Sequence, residues 1–420
     1  MEVLWIVPVV RRIGQLPIVG EADGGPRLAD RGQPLTIDGM ASRPRILSIS
    51  FSDITADARV LRQLAVLSEY GDVTTVGYGE KPADASDHLR IPDGLPSLPQ
   101  TPFGVLKLGL RLHASTELDA PANRAALKLL AGRTFDLVVA NEARALPLAH
   151  AVAGDAPIWG DMHEWAPEER THVLSWRLLV APLMRYICAK YLPLTAAVTT
   201  VNGSIARLYD EQFGVHTEVV RNAIAYQKLK PSAVLPDRFR LVHSGAAIPG
   251  RNLEALIEAT LSLDDRYTLD FYLIEARDGG RYLRMLRDAA GDSSRIVFHP
   301  AVAPADLPSA LNAYDVGIYL IPPQTTNHRF MLPNKFFDFA QARLALVFGP
   351  SVETSALIEQ YGLGLSTRDF TPASLAAALA SLTPESVGKF KANANAAAKA
   401  LSSDEDVAVQ RSIIERLLAR

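Results

Sequence analysis

From residue 44 onward, short apolar runs alternate with segments of helical period, and the alternation breaks once before it restarts. "PRILSISF" (44–51) reads as a strand, "ADARVLRQLAVLSEYG" (56–71) as a helix closed by glycine, and "DVTTVGYG" (72–79) as the next strand. These strands are near-continuously apolar, as strands covered on both faces are. Strand, helix and strand in that order build a parallel sheet with helices on its faces. After a loop rich in Pro and Asp (80–103), the order continues through helix 120–133, strand 135–141, a helix, strand 156–164, one or two helices within 171–195, and two strands flanking "GSIARLYDEQFG". "AIAYQKLKPSAVLPDR" (223–238) has two prolines and no apolar period, and reads as a linker. Strands "FRLVHSG", "YTLDFYLIE", "SRIVFHPAV" and "VGIYLIPP" then alternate with helices again. The expected fold is α/β: two Rossmann-like, doubly wound parallel-sheet domains, 43–222 and 239–400, facing across a cleft, with a helix at 401–420 packing back on the first domain. Residues 1–42 lack a period and are expected to form a poorly ordered extension. In open sheets of this kind ligands bind at the carboxyl ends of the strands, which places a small-molecule site in the cleft.

Composition removes several function classes. The chain has 420 residues, 48% hydrophobic and 21% charged, enough for two or three domains with sizeable cores. A net charge of −3 supplies no basic field for nucleic acid, and none is expected as a partner. The single Cys188 excludes an internal disulfide and a cysteine-based metal cluster, and suits a reducing cytoplasm. No stretch approaches the ~20 apolar residues of a membrane span. At the N-terminus apolar residues precede basic ones, the reverse of a secretory signal.

Five stretches carry candidate chemistry. In "HSGAAIPGRNLEAL" (243–256) a strand ends in small residues and opens a helix. Ser244 and Gly245 let the backbone approach an anion, helix-end N–H groups are free, and Arg251 is a bidentate donor; an ordinary βα turn is the plainer reading. It is not GxGxxG and has no acid at the ribose spacing, which disfavours a dehydrogenase. "LPNKFFDFAQARLALVFGPS" (332–351) puts Pro333 in the first turn of a helix, with Asn334 and Lys335 at its start and Asp338 at i+3 from Lys335. A lysine at the positive end of a helix is unfavourable unless an anion sits there; a surface Lys–Asp pair is the alternative. "GDMHEW" (160–165) places Asp161, His163 and Glu164 at a strand's carboxyl end, with Asp161 and His163 on one side. "SDITADAR" (52–59) offers Asp53, Asp57 and Arg59 at the same rim, where helix capping by Asp57 is sufficient explanation. Finally, no acid occurs between Glu169 and Asp210, while Arg170, Arg177, Arg185, Lys190 and Arg207 lie among Trp176, Leu178, Leu179, Leu183, Met184, Tyr186 and Tyr191. This reads either as an anionic membrane surface through 170–207 or as a core-facing helix with basic solvent positions; "FGVLKLGLRLH" (103–113) is similar.

Taken in order, these segments resemble the GT-B-fold glycosyltransferases, and among them the family-4-like (group 1) bacterial enzymes, over residues 44–400. "SDITADARVLRQLAVLSEYGDVTTVGYG", "FDLVVANEARALPLAHAV", "DMHE", "VVRNA", "SGAAIPGRNLEALIEA" and "LPNKFFDFAQARLALVFGPSVET" match in sequence order. The resemblance implies an enzyme moving a sugar from a UDP-, GDP- or other nucleotide-diphosphate sugar to a glycan, glycolipid or lipid-linked acceptor, with retention and without a metal or further cofactor. The single cysteine and the basic segment, not the resemblance, suggest a cytoplasmic protein, peripheral on the inner face of the plasma membrane. The resemblance places the diphosphate at Ser244, Gly245, Arg251, Asn334 and Lys335, the ribose at Asp338, and His163 beside the transferred sugar; the residue pattern itself adds Asp161 and Glu164 beside His163 as catalytic candidates and Asp53, Asp57 and Arg59 on the acceptor side. Three positions depart from the pattern. Asp338 is shorter than the usual Glu, Phe330 stands where the first acid of the pair belongs, and Glu275 replaces a usual Gly. A nucleotide-sugar epimerase or hydrolase of the same fold, or a non-catalytic nucleotide-sugar-binding partner, is the alternative.

Overall fold

The computed structural model describes residues 43–276 and 278–419. The expected N-terminal extension lies outside them. Two all-parallel sheets dominate. The first has strands β1 (Arg45–Asp53), β2 (Asp72–Tyr78), β3 (Asp87–Arg90), β4 (Leu137–Asn141), β5 (Ile158–Met162), β6 (Ala197–Thr200) and β7 (Thr217–Val219), in the order β3-β2-β1-β4-β5-β6-β7. The second has β8 (Phe239–Ala247), β9 (Tyr267–Glu275), β10 (Ile296–His299), β11 (Val316–Tyr319), β12 (Ala345–Phe348) and β13 (Gly364–Ser366), in the order β10-β9-β8-β11-β12-β13. The strand order reverses between β1 and β4 and between β8 and β11, and these are the switch points where such sheets open a crevice.

The helices of the first half are α1 (Ala58–Tyr70), α2 (Pro102–Gly109), α3 (Pro121–Leu130), α4 (Leu146–Val152), α5 (Ala181–Tyr191) and α6 (Gly203–Phe213). Those of the second are α7 (Leu253–Leu261), α8 (Arg281–Ala290), α9 (Leu307–Leu311), α10 (Thr326–Arg329), α11 (Asn334–Gln341), α12 (Val352–Tyr361), α13 (Pro372–Ala380), α14 (Pro384–Ala397) and α15 (Ser403–Leu418). All five residues of β4 are buried, as its unbroken apolar run requires. Helix α1 starts where Asp57 accepts from the Val60 amide, and buries Val60, Leu64 and Leu67 at helical spacing. Residues 221–238 contain no helix or strand.

Three local readings change. The stretch 80–103, read as loop, contains the edge strand β3, where only Leu89 of "DHLR" is buried; an edge strand needs few apolar residues. Pro333 is not in the first turn of α11 but caps it from outside the helix, at φ −73° and ψ 149°. The basic segment opens with a π-helical turn, Trp176–Val180, before α5, and Leu183, Met184, Ile187 and Tyr191 of α5 belong to the first domain's core. Leu178 alone of that segment's seven aromatic and aliphatic residues named above is largely exposed.

Helix α15 crosses back to the first domain. Its Ile413, Ile414 and Leu417 join the cluster formed by Val60, Leu64 and Leu67 of α1. Arg411 pairs with Glu69 at 3.0 Å and the Tyr70 hydroxyl donates to Glu415 at 2.7 Å.

Candidate functional site in the interdomain cleft

At the second switch point the carboxyl-end half of β8 carries buried Ser244, and Gly245 at φ +135°. A Cβ at Gly245 would lie 2.4 Å from Lys335 Cε and 2.5 Å from Nζ, so a side chain there would displace the Lys335 ammonium and would also strain the backbone at φ +135°. Lys335 comes from the first turn of α11, which is pressed onto the sheet: the Phe339 ring lies where Gly317 of β11 would carry a Cβ, at 2.3 Å. The N-cap of α11 supplies no side-chain acceptor. Its amides therefore point out of the helix with the positive end of the dipole.

The loop after β8 is tied down from the other side. Asn252, left-handed at φ 56°, donates through Nδ2 to the carbonyls of Leu320 and Phe370, each at 3.3 Å, and Gln324 Nε2 donates to the Gly250 carbonyl at 3.4 Å. This holds Arg251 near the other cations. Burial, and then the Arg251 charge, lower the Lys335 pKa to about 8; attraction to Asp338 opposes the fall. Burial and Lys335 likewise take His243 down to about 3, so this imidazole is neutral, its Nδ1–H donating to the Ile318 carbonyl at 2.9 Å. Ser244 Oγ is buried and has no hydrogen-bond partner among the described residues. A hydroxyl and an ammonium without a bonded acceptor among the described residues, a guanidinium and a helix end thus gather at one place, with Asp338 the acid acting on them, which is the chemistry of an anion site. Asn334 stands exposed at the head of the same helix. One turn along, Asp338 is pushed up to about 6 by burial, against the pull of Lys335 and of Arg62 from α1 of the first domain.

Across the cleft, β5 carries Asp161 to the buried centre of the first domain, 1% exposed. Arg59 grips it through Nη2 at 2.6 Å and Nε at 2.9 Å; Thr199 Oγ1 donates at 2.6 Å and Gln63 Nε2 at 3.2 Å. Burial alone would raise this carboxyl, but Arg59 and His163 outweigh it and hold Asp161 well below the usual carboxylate range. The expected place of Arg59 at the rim is corrected: it is 8% exposed, and its Nη1 also donates to the Val220 carbonyl at 2.7 Å. Of its loop partners, Asp57 caps α1 and Asp53 accepts from Thr55 Oγ1 at 2.8 Å; neither contacts His163.

His163, just past β5, does reach the cleft. Its Nε2 is 3.5 Å from Asp161 Oδ2 and 3.4 Å from Asn141 Oδ1, and its Nδ1 is 3.8 Å from Glu142 Oε1. Glu142 follows β4 with φ +67°, an uncommon conformation for a side-chain-bearing residue, and accepts from Arg144 Nε at 2.5 Å. Glu164 is exposed at the cleft mouth yet walled by protein. That desolvation, and then Glu169 and Glu142, raise its pKa to about 7. Burial raises Glu169 as well, against Arg144. Glu142, Arg144 and Glu169 are not among the candidates that the sequence pattern singles out, although Glu142 directly follows the apolar run of β4.

An open cavity of about 490 Å³ joins the halves, with His163, Glu164 and Glu169 on one wall and Asn327, His328, Met331 and Leu332 on the other. A second, of about 590 Å³, opens at Gln324, Thr325, Ser351 and Phe370 and shares Thr325 and His328 with the first. Neither is lined by Lys335, in the first turn of α11, or by Gly245 of β8 beneath it. Direct bonds close the gap between domains. The Trp165 amide donates to Asn327 Oδ1 at 2.7 Å and Asn327 Nδ2 returns to the Trp165 carbonyl at 3.2 Å. Asn202 Nδ2 donates to the Phe330 carbonyl at 2.8 Å. The Phe330 ring packs against the first domain's core, so the position of the missing acid is spent on an interdomain contact. Among the described residues no group of three or more His, Cys, Asp or Glu is placed to hold a metal ion.

No protein-family model matches the chain, and no curated protein sequence matches it. Solved structures do. HepE of Anabaena in complex with UDP-glucose is 17% identical and superposes over 90% of this chain and 100% of its own, with a TM-score of 0.63. Sucrose-phosphate synthase of Thermosynechococcus elongatus is 14% identical over 90% and 99%, with a TM-score of 0.64. The α,α-trehalose 6-phosphate synthase of Burkholderia multivorans is 13% identical over 90% and 98%, with a TM-score of 0.60. The two-domain architecture is therefore the GT-B fold.

Proposed function

We propose that the chain transfers a sugar from a nucleotide-diphosphate donor to a glycan, glycolipid or lipid-linked acceptor. The observation that carries this reading is the Lys335 ammonium lying over Gly245, at a switch point, beside Arg251 and the unpartnered Ser244 hydroxyl. When the bond from the anomeric carbon to the diphosphate breaks, its electron pair goes to the leaving oxygen. Lys335, Arg251, Ser244 and the α11 amides are the groups that stabilise that charge. They do so without a metal in this reading, and retention of configuration belongs to it through the resemblance. Asp338 reaches the nucleotide ribose. His163, steadied from below by Asp161, faces the sugar with Glu164 beside the incoming hydroxyl. HepE was captured with UDP-glucose, so uridine diphosphate sugars head the list of donors.

A thermal-shift panel of nucleotide diphosphates and their sugars tests the proposal, since a ligand of the folded state raises the melting temperature by linkage. At least one nucleotide-diphosphate sugar should shift it, and EDTA should not abolish the shift; a flat panel would refute the donor assignment. Phe330 in the acid's place favours a second reading, a nucleotide-sugar-binding protein without turnover. Release of nucleotide diphosphate in the presence of acceptor, lost in His163→Ala with donor affinity retained, decides for the enzyme.

A further inference from the structure

Two segments of the first domain expose large apolar side chains side by side. Helix α2 turns out Phe103 and Leu106, with Leu110 and Leu112 just past its end, while the turn before α5 turns out Leu174 and Leu178; all six are between 50% and 64% exposed. The spacing of Phe103, Leu106 and Leu110 puts them on one helical face. The segments form one surface: Arg111 Nη1 donates to the Leu178 carbonyl at 2.7 Å. Monomeric proteins rarely leave so contiguous an apolar area in water without a use for it.

The two segments that carry this patch are basic, although Asp119, Glu117 and Glu168 pack beside them and pair with Lys107, Lys190 and Arg185. Residues 101–113 and 170–190 contain no acid, and they carry Lys107, Arg111, Arg170, Arg177, Arg185 and Lys190. This is a basic rim on a chain whose net charge is −3. Some of these cations are engaged: Lys107 pairs with Asp119 at 2.6 Å and Lys190 with Glu117 at 2.7 Å. Arg111 and Arg177 remain exposed at the edge of the patch. Exposed leucine and phenylalanine within a cationic rim fit an anionic lipid surface, where apolar groups enter the acyl boundary and cations meet headgroups.

The same turn also faces the cleft. Between exposed Leu174 and Leu178 sits buried Trp176, which lines a small void of about 20 Å³ together with Glu142, His163 and Glu169. One five-residue stretch thus has its outer face in the patch and its inner face beside His163. We propose that the protein rests on an anionic membrane through α2 and residues 174–178, and that its acceptor is a lipid-borne molecule presented to the His163 side of the cleft. The acceptor half of this statement rests on the glycosyl-transfer reading; the docking half does not. The structure also relocates the membrane face expected over 170–207, because the apolar side of α5 is core.

The test is co-sedimentation of the full chain with vesicles of phosphatidylglycerol and phosphatidylethanolamine, against vesicles of phosphatidylcholine alone, without nucleotide. Binding to the anionic vesicles should weaken as salt rises. It should fall by about ten-fold or more in the triple variant Leu106→Glu, Leu110→Glu, Leu178→Glu, with the melting temperature retained. Arg177→Glu should weaken it without touching the apolar face. Absence of binding by the native chain, or equal binding by the triple variant, overturns the proposal. So does a dimer that the triple variant dissolves while vesicles bind neither protein, which would make the patch a contact between copies. If vesicles bind but no nucleotide-diphosphate sugar shifts the melting temperature, docking stands and the transferase reading falls. If the triple variant glycosylates a lipid-borne acceptor in vesicles as fast as the native chain, docking falls alone.

Discussion

Lys335 links stability and binding with opposite signs. Its pKa falls from 10.5 to about 8 in the folded chain, so the fold penalises the charged form by about 3 kcal/mol. The unfolded chain keeps that proton up to 10.5. The penalty is therefore full below pH 8 and fades as pH rises from 8 to 10.5. A diphosphate at the head of α11 supplies the missing counter-charge and restores the proton. Binding of a nucleotide-diphosphate sugar at pH 8, where the free protein has lost about half of it, should take up about half a proton through Lys335. Calorimetry in buffers of different ionisation enthalpy measures this directly. Replacement by an isosteric apolar chain separates the two effects. Lys335→Met should unfold at higher urea concentration at pH 7, by at most about 3 kcal/mol. The same variant should bind nucleotide diphosphate about ten- to a hundred-fold more weakly, the value of a charged hydrogen bond. Absence of proton uptake at pH 8, or a variant that is less stable yet binds as before, would refute the anion assignment.

Two further outcomes test the acceptor side. Asp161→Asn leaves Arg59 buried without its counter-ion and should destabilise the first domain by about 3–5 kcal/mol in urea; a loss under about 1 kcal/mol would put the pair in the class of exposed ion pairs. Glu164, pushed up to about 7 from 4.5, holds its proton longer folded than unfolded, so its contribution to stability is present below 4.5 and is lost as pH rises through 7. In Glu164→Gln the melting temperature should fall less between about pH 5 and 8 than in the native chain; parallel profiles would show that the carboxyl is solvated in the fold.

Much of this was legible because local physics decides it. Apolar runs at strand length and helical spacing name the sheets, and a lysine at a helix start with small residues at a strand end points to the same candidate anion site that the geometry brings together. The remainder depends on residues far apart in the chain. Arg59 in a polar loop reads as a rim residue until β5 places Asp161 beneath it, 102 residues away. Glu142 and Glu169 gain meaning only when β4 and β5 pair and bring them around His163. Asn327 looks like a loop amide, and nothing near it in sequence announces that it will bond both backbone groups of Trp165. The basic segment has the same composition whether its leucines meet lipid or core; packing settles that Trp176 and the apolar side of α5 are core while Leu174 and Leu178 face outward.

The return of α15 bears on how the chain is made. The seam of α1 that carries Val60, Leu64 and Leu67 is closed by Ile413, Ile414 and Leu417, residues synthesised after the whole second domain. Domains commonly fold as units in the order of synthesis. Here the first domain emerges with an apolar groove still wet, and stays so until the last helix arrives. Proteolytic cutting at 223–238 would therefore not release two independent halves, because the first would lose part of its own core.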